Sequence, residues 1–324
     1  MMDRTQIEYP VSDAFEHFQR EFASALQSEI QTVRQAVDTI LRSNGKHLRP
    51  LLLLLTAKAC GQVNVASVHA AVMLELLHTA SLIHDDVVDD TKQRRGVPSL
   101  NALCDNRIAV LVGDFIFSNT FLRAMQMNNM QIIHVMALLA YEMTEGEIKQ
   151  LENADRLILN EKDYFIALEK KTATMLASCT EIGAITANAP AERQTDCRRF
   201  GRLLGYCFQI KDDIFDYFDD ASTGKPSGND LREGKVTLPL LYALEKAAPE
   251  EKAPYLDILR QKDFTPSNIA ALLRFAKEKG GIEYAKQRMM AYKENAEAII
   301  RTLPASDARD SLLLLAGYIV ERLR

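Results

Sequence analysis

Two short runs of carboxylates share one spacing. Asp85-Asp86-Val87-Val88-Asp89 and Asp212-Asp213-Ile214-Phe215-Asp216 both read Asp-Asp-x-x-Asp. At about 100° per residue, the first and last Asp of each run share a helix face, and the middle one sits about a quarter turn away. Each run closes an apolar stretch, the first after Leu76–Ile83 and the second after Gly205–Ile210. Unpaired carboxylates are costly to bury there, and like charges this close need a counter-charge. Hard divalent cations such as Mg²⁺ supply it, taking a few carboxylate oxygens and keeping other positions for water and phosphate. Two such helices facing one another would cage a diphosphate. A solvated acidic helix end would explain one such run, but matching spacing in matching apolar context argues against that reading for both.

A diphosphate site also needs cations. Lys46 and Arg49, in Gly45-Lys46-His47-Leu48-Arg49-Pro50, lie three apart and are expected on one helix face. Arg94 and Arg95 follow the first Asp run, and Lys225 and Lys235 follow the second. Arginine suits bidentate phosphate contacts, and lysine acts as a point charge. Each alone reads as an ordinary surface residue, and placement beside the Asp runs raises it. His78 stands seven residues before Asp85, within about 20° of it around an ideal helix. The plainer alternative for His78 is a core hydrogen bond. Lys170-Lys171-Thr172 interrupts an apolar helical stretch, where a charge serves a purpose or escapes to solvent.

Long helices must position these groups. Glycine (14) and proline (10) are scarce in 324 residues, and 47% of the chain is hydrophobic. Helical periodicity predicts one or two helices over 13–43, a stop at Ser43-Asn44-Gly45, and a further helix entered at Pro50. A long apolar helix is expected over 65–90, and another over 100–127. Further helices are expected over 131–153, 161–188, 191–219, 236–247, 266–278, 281–302 and 306–323. No stretch sustains period-two alternation, so the fold class is all-α. The loop 221–234, rich in Gly, Ser, Asp and Lys, is the one conspicuous internal loop. Residues 1–324 are expected to form a single helical domain.

Composition excludes other classes. A net charge of -5 gives no reason to expect nucleic-acid binding. Five cysteines without a CxxC pair argue against a disulfide framework or a zinc site, and imply reduced thiols in the cytoplasm. The N-terminus has no signal-peptide pattern. The most apolar runs, Leu51–Thr56 and Ile108–Gly113, are far shorter than the roughly 18 residues of a membrane span, so a soluble protein is expected.

GKHLRP, HDDVVDD followed by RRG, FQIKDDIFD and GKPSGNDLREGKVTLPL resemble the ordered motifs of the trans-isoprenyl diphosphate synthases, from about residue 45 to 242. The resemblance implies a bundle of long antiparallel helices around a central substrate tunnel. It also implies a head-to-tail prenyltransferase joining isopentenyl diphosphate to an allylic diphosphate. Asp85, Asp86, Asp89, Asp212, Asp213 and Asp216 would hold more than one Mg²⁺ bridging the allylic diphosphate. Lys46, Arg49, His78 and Arg95 would hold isopentenyl diphosphate. Arg94, Lys171, Lys225 and Lys235 would contact the allylic diphosphate. Thr172 and Gln209 would stabilise an allylic cation by their dipoles. A homodimer follows from the same resemblance, which leaves room for transient membrane contact when product is released.

In this family, bulky residues just before the first Asp run close the tunnel. Here those positions hold the small residues Ala80 and Ser81. A long all-trans product is therefore expected, from heptaprenyl to decaprenyl, of the kind used in quinone side chains. Ser81 lies one turn before Asp85 and fits a tunnel wall, whereas the role of Ala80 rests on resemblance alone. Close helix packing is the plainer reason for two small residues. Met136 is a candidate for the tunnel floor. The alternatives are a short-chain farnesyl or geranylgeranyl diphosphate synthase, the catalytic subunit of a heteromeric synthase, and a class I terpene cyclase. The second Asp run and the isopentenyl cations argue against the cyclase.

Overall fold

The computed structural model describes residues 4–42, 45–94, 96–218 and 227–321. The chain is all-α, with a single two-stranded hairpin among the described residues. Its helices of eight residues or more, numbered in order, begin with α1 Ser12–Ala25, α2 Gln31–Arg42, α3 Leu48–Cys60, α4 Val65–Val88 and α5 Asn106–Gln126. They continue with α6 Met130–Asp155, α7 Glu161–Leu168, α8 Thr174–Thr186 and α9 Ala191–Phe215. The last are α10 Leu238–Lys246, α11 Pro249–Gln261, α12 Pro266–Glu278, α13 Gly281–Ile300 and α14 Asp307–Glu321.

Two compact units emerge. The first comprises Met1–Ala140, Ser178–Arg198 and Ile300–Leu314, and the second comprises Tyr141–Ala177, Arg199–Ile299 and Leu315–Arg324. In the first, α4 is the central element and packs against α1, α3 and α5. Its entry is fixed by a reciprocal cap: Asn64 Oδ1 accepts from the Ser67 amide at 3.1 Å, and Ser67 Oγ accepts from the Asn64 amide at 3.3 Å. Leu51–Leu55 of α3 are buried all round, as are Ala70–Leu74 of α4, which is why neither stretch shows a polar face. In the second unit, α10 packs against α12 and α7.

Several expectations need correction. The segment 161–188 is not one α-helix. Between α7 and α8 the chain makes a wider π turn over Glu169–Ala173, and Thr174 Oγ1 donates to the Glu169 carbonyl five residues back at 3.0 Å. Helix α11 carries Pro254 inside it and many charges, so its apolar pattern is weak and it escapes a periodicity reading. The loop after the first Asp run holds the hairpin, Gln93–Arg94 paired antiparallel with Val97–Pro98. Residues 43–44 of the expected stop and residues 221–226 of the loop 221–234 lie outside the described residues, while the described end of the loop forms a short helix, Asn229–Arg232. Two helices, α4 and α5, are long and apolar enough to cross a membrane by length and composition, which a search for unbroken apolar runs misses. Helix α4 is mostly buried inside the first unit, whereas α5 is largely exposed.

Candidate active site

In the first unit, α4 delivers Asp85 and Asp86 in its last turn, and Asp89 caps it by donating its amide to the Asp85 carbonyl at 2.8 Å. A helix C-terminus carries partial negative charge, so carboxylates clustered there repel the helix as well as one another. Asp86 is buried and answers this locally. Arg94 Nε lies 2.8 and 3.0 Å from its two oxygens, and Nη2 lies 2.7 Å from Oδ1. The hairpin aims Arg94 there, turning at Gly96 with φ of +80°, and Asn101 Nδ2 donates to the Asp86 carbonyl at 3.0 Å. Arg94, expected on a diphosphate, is thus engaged by Asp86 in this structure.

Beside this pair lies a cavity of about 690 Å³, lined among others by Phe22, His47, Glu75, His78, Asp86 and Arg94. His78 is buried and lines it. Sequence reasoning missed His47 and Glu75. His47 Nδ1 lies 2.8 Å from Glu75 Oε1, its ring meets Phe18 and Phe22 edge-on, and Glu75 Oε2 is buried with no hydrogen-bond partner. The one visible signal was a carboxylate, Glu75, inside the apolar run 70–77. Lys46 and Arg49 do not share a helix face, because α3 begins at Leu48 and Lys46 precedes it, exposed. Neither of the two lines the cavity. Arg95 lies outside the described residues. Ala80 is fully buried, Met136 is buried on α6, and the Ser81 hydroxyl donates to the His78 carbonyl at 2.9 Å. None of these three lines the cavities described here.

In the second unit the other Asp run closes α9. Asp213 is buried and accepts from Tyr164 Oη at 2.5 Å and from Gln209 Nε2 at 2.8 Å. Thr172 Oγ1 in turn donates to Gln209 Oε1 at 3.0 Å. The predicted pair Thr172 and Gln209 is therefore joined to the predicted ligand Asp213 through one chain of hydrogen bonds. Asp216, just past the helix end, accepts from the Asn229 and Asp230 amides at 3.0 and 3.1 Å. Burial pushes the Asp213 carboxyl up to about 7, and Asp212 and Asp216 add to this while Tyr164 and Gln209 oppose it. Asp230, missed from sequence, is raised well above its ordinary value, first by burial and then by Asp213 and Asp216.

The π turn presents Lys171 and Thr172. It is gripped from two sides where the helices carry no side chain: a Cβ at Gly146 would lie 2.6 Å from the Lys171 amide nitrogen, and one at Gly205 would meet the Ala173 Cα and lie 2.8 Å from its Cβ. Lys171 pairs with Glu147 and donates to Gln150 Oε1 at 2.9 Å. Lys235 Nζ sits 2.6 Å from Glu233. Lys171, Thr172, Gln209, Asp213, Asp230 and Lys235 all line one open cavity of about 890 Å³, whose remaining wall includes Leu157, Leu168 and Leu241. Lys225 lies outside the described residues.

Among the described residues, no three His, Cys, Asp or Glu side chains are gathered into a ready metal cage. The donor chemistry nevertheless fits a hard divalent cation. It consists of carboxylate oxygens alone, at two helix ends whose dipoles they oppose, one of them, Asp213, pushed up to about 7 by burial and then by its neighbours Asp212 and Asp216.

Residues 30–275 match the family Polyprenyl synthetase. The chain belongs to this family. It is 34% identical to octaprenyl diphosphate synthase of Escherichia coli (strain K12) over 298 residues, which are 92% of each chain. The crystal structure of polyprenyl synthase from Caulobacter crescentus CB15 complexed with calcium and isoprenyl diphosphate superposes with a TM-score of 0.92 at 30% identity, covering 98% of this chain and 97% of that one. That of geranylgeranyl pyrophosphate synthase from Bacteroides thetaiotaomicron gives 0.85 at 38% identity, covering 98% and 99%. Synthases of this family are prenyltransferases acting on isopentenyl and allylic diphosphates, with divalent metal used to bind diphosphate, and the chain is an enzyme of that class.

Proposed function

We propose that the chain is a Mg²⁺-dependent head-to-tail prenyltransferase that makes a long all-trans polyprenyl diphosphate, heptaprenyl to decaprenyl, for quinone side chains. The observation that carries the chemistry is the chain of hydrogen bonds Thr172–Gln209–Asp213–Tyr164, in a cavity that also holds Lys171 and Lys235. Asp85, Asp86, Asp89, Asp212, Asp213 and Asp216 would hold the metal, which when bound would neutralise the allylic diphosphate and weaken its bond to carbon. Lys171 and Lys235 would add positive charge to the departing diphosphate. Gln209 is fixed at both ends, its oxygen by Thr172 and its nitrogen by Asp213. The Thr172 oxygen and the adjoining carbonyl would thus meet the allylic cation as pre-set dipoles that need not reorganise. The apolar side of the cavity, with Leu157, Leu168 and Leu241, would shield the cation from water once substrate fills it. The isopentenyl double bond then attacks the cation, a carbon–carbon bond forms, and the proton released passes to the freed diphosphate. His78, at the other cavity, would help hold isopentenyl diphosphate, with Lys46, Arg49 and Arg95.

Small residues at Ala80 and Ser81 favour a long product. The 38% identity to a geranylgeranyl pyrophosphate synthase favours a second reading, a short-chain synthase. An exposed apolar stripe on α5, formed by Val110, Leu111, Phe121, Leu122 and Met125 within about 120° of the helix, supports a homodimer. The test is incubation of the purified chain with Mg²⁺, farnesyl diphosphate and labelled isopentenyl diphosphate, followed by sizing of the products. A ladder of seven or more isoprene units supports the proposal. Products ending at geranylgeranyl length favour the second reading. No incorporation by folded protein, or turnover without isopentenyl diphosphate, overturns both.

A further inference from the structure

Two cysteines far apart in sequence meet in the first unit. Cys60 ends α3 and is half-buried, Cys197 lies in α9 and is buried, and their sulfurs are 3.6 Å apart across 137 residues of chain. The backbone around them is held from several sides. Thr180 Oγ1 donates to the Cys197 carbonyl at 2.6 Å. Asn64 Nδ2 donates to the Thr186 carbonyl at 2.8 Å, and Ser67 Oγ donates to Thr186 Oγ1 at 2.9 Å. At Gly61 a Cβ would lie 3.2 Å from the Ala187 carbonyl oxygen, so the end of α3 packs closely on the end of α8. The sulfurs stand against Ala184 and Ala189, two small apolar neighbours.

We propose that Cys60 and Cys197 form a site of reversible disulfide formation, with a peroxide as the oxidant. A disulfide is about 2.05 Å long, so the two sulfurs must close by about 1.5 Å, within reach of small side-chain rotations. Cys60 is the more exposed of the two residues. Its thiol is lowered by the Cys197 hydrogen bond and by Arg193, against an opposing effect of burial. A thiolate that solvent reaches, beside a second thiol, is the arrangement that oxidises selectively. Burial pushes the Cys179 and Cys207 thiols up to about 12, which protects them.

The step balances. The Cys60 thiolate attacks one peroxide oxygen, the O–O bond breaks, and a sulfenic acid forms while the hydroxide leaving group takes a proton and departs as water. Cys197 then attacks the Cys60 sulfur, the S–S bond forms, and the sulfenic oxygen leaves with the Cys197 proton as a second water. Two thiols are oxidised and one peroxide is reduced. The product ties α3 to α9 across 137 residues of chain and restricts the unfolded state.

The test uses the full chain, folded, treated with hydrogen peroxide in slight excess. Titration of the unfolded product is expected to find three thiols in place of five. Non-reducing peptide mapping is expected to find the Cys60 and Cys197 peptides linked and lighter by two hydrogens. Dithiothreitol restores five thiols. The thermal midpoint of the oxidised wild type rises, while that of Cys60→Ser does not respond. Since Cys60 is half-buried, that variant folds, and it serves even if Cys197→Ser does not. Oxidation of Cys60 to sulfinic acid without linkage, or linkage that joins any other pair, overturns the proposal.

Discussion

Replacing Gly146 by alanine would test whether the π turn is held in place to serve chemistry. The added Cβ would lie 2.6 Å from the Lys171 nitrogen, 2.8 Å from the Lys170 Cβ and 2.9 Å from the Lys170 carbonyl carbon. Carbon contacts relax near 3.5 Å, so backbone must move by about 0.8 Å, and no flexible side-chain end is available to yield. Overpacking of this kind costs about 1–3 kcal/mol, and exchanging a helical glycine for alanine returns about 1 kcal/mol. The net loss of stability is therefore about 0–2 kcal/mol, a few degrees in the thermal midpoint. Activity should suffer more. Thr172 and Lys171 are carried on the moved segment, and misplacement of about 1 Å can cost about 100-fold. We expect kcat to fall about 10- to 100-fold in a steady-state assay with labelled isopentenyl diphosphate, or about 1.4–2.7 kcal/mol of barrier. Gly183→Ala is the control: its Cβ would lie 2.5 Å from the Leu53 carbonyl oxygen, within the first unit, and touches no residue of the π turn. It should lower the midpoint while leaving kcat within about two-fold. An unchanged kcat in Gly146→Ala, or an equal loss in both variants, would refute the reasoning.

Three further outcomes are expected. Ser81→Phe should shorten the product toward farnesyl or geranylgeranyl length, because Ser81 is only partly buried; Ala80→Phe forces its ring into a filled core and should lower the midpoint as well, by about 1–3 kcal/mol of overpacking. Unchanged product length in both variants would sink the open-tunnel reading. Asp213 holds its proton up to about pH 7 when folded and only to about pH 4 when unfolded. The folded state therefore binds the extra proton between those values, so metal-free protein should lose stability as pH rises from about 4 to 7. Mg²⁺ should reverse that loss, and Asp213→Asn should flatten the slope in thermal melts; equal slopes in the two proteins would contradict the burial argument. Leu111→Glu with Leu122→Glu, on the exposed face of α5, should convert a dimer to a monomer in sedimentation, and a wild-type monomer would show that this stripe has another use.

The Asp runs, the family motifs and nearly every helix were legible because they are local. Periodicity along one helix and spacing within one run depend only on residues a few places apart. The helix over 249–261 was not legible, since Pro254 and a run of charges blur its pattern. What a side chain touches across the chain was not legible either. Arg94 meets Asp86 rather than standing free because a hairpin turns it back. Glu75 meets His47 over 28 residues, Tyr164 meets Asp213 over 49, and Cys60 meets Cys197 over 137. No periodicity links such positions; helix packing brings them together. The π turn is the sharpest case. That Lys171 and Thr172 interrupt an apolar helix can be read from their neighbours along the chain. That the helix widens there follows from packing, because Gly146 and Gly205 let two neighbouring segments approach where any Cβ would collide.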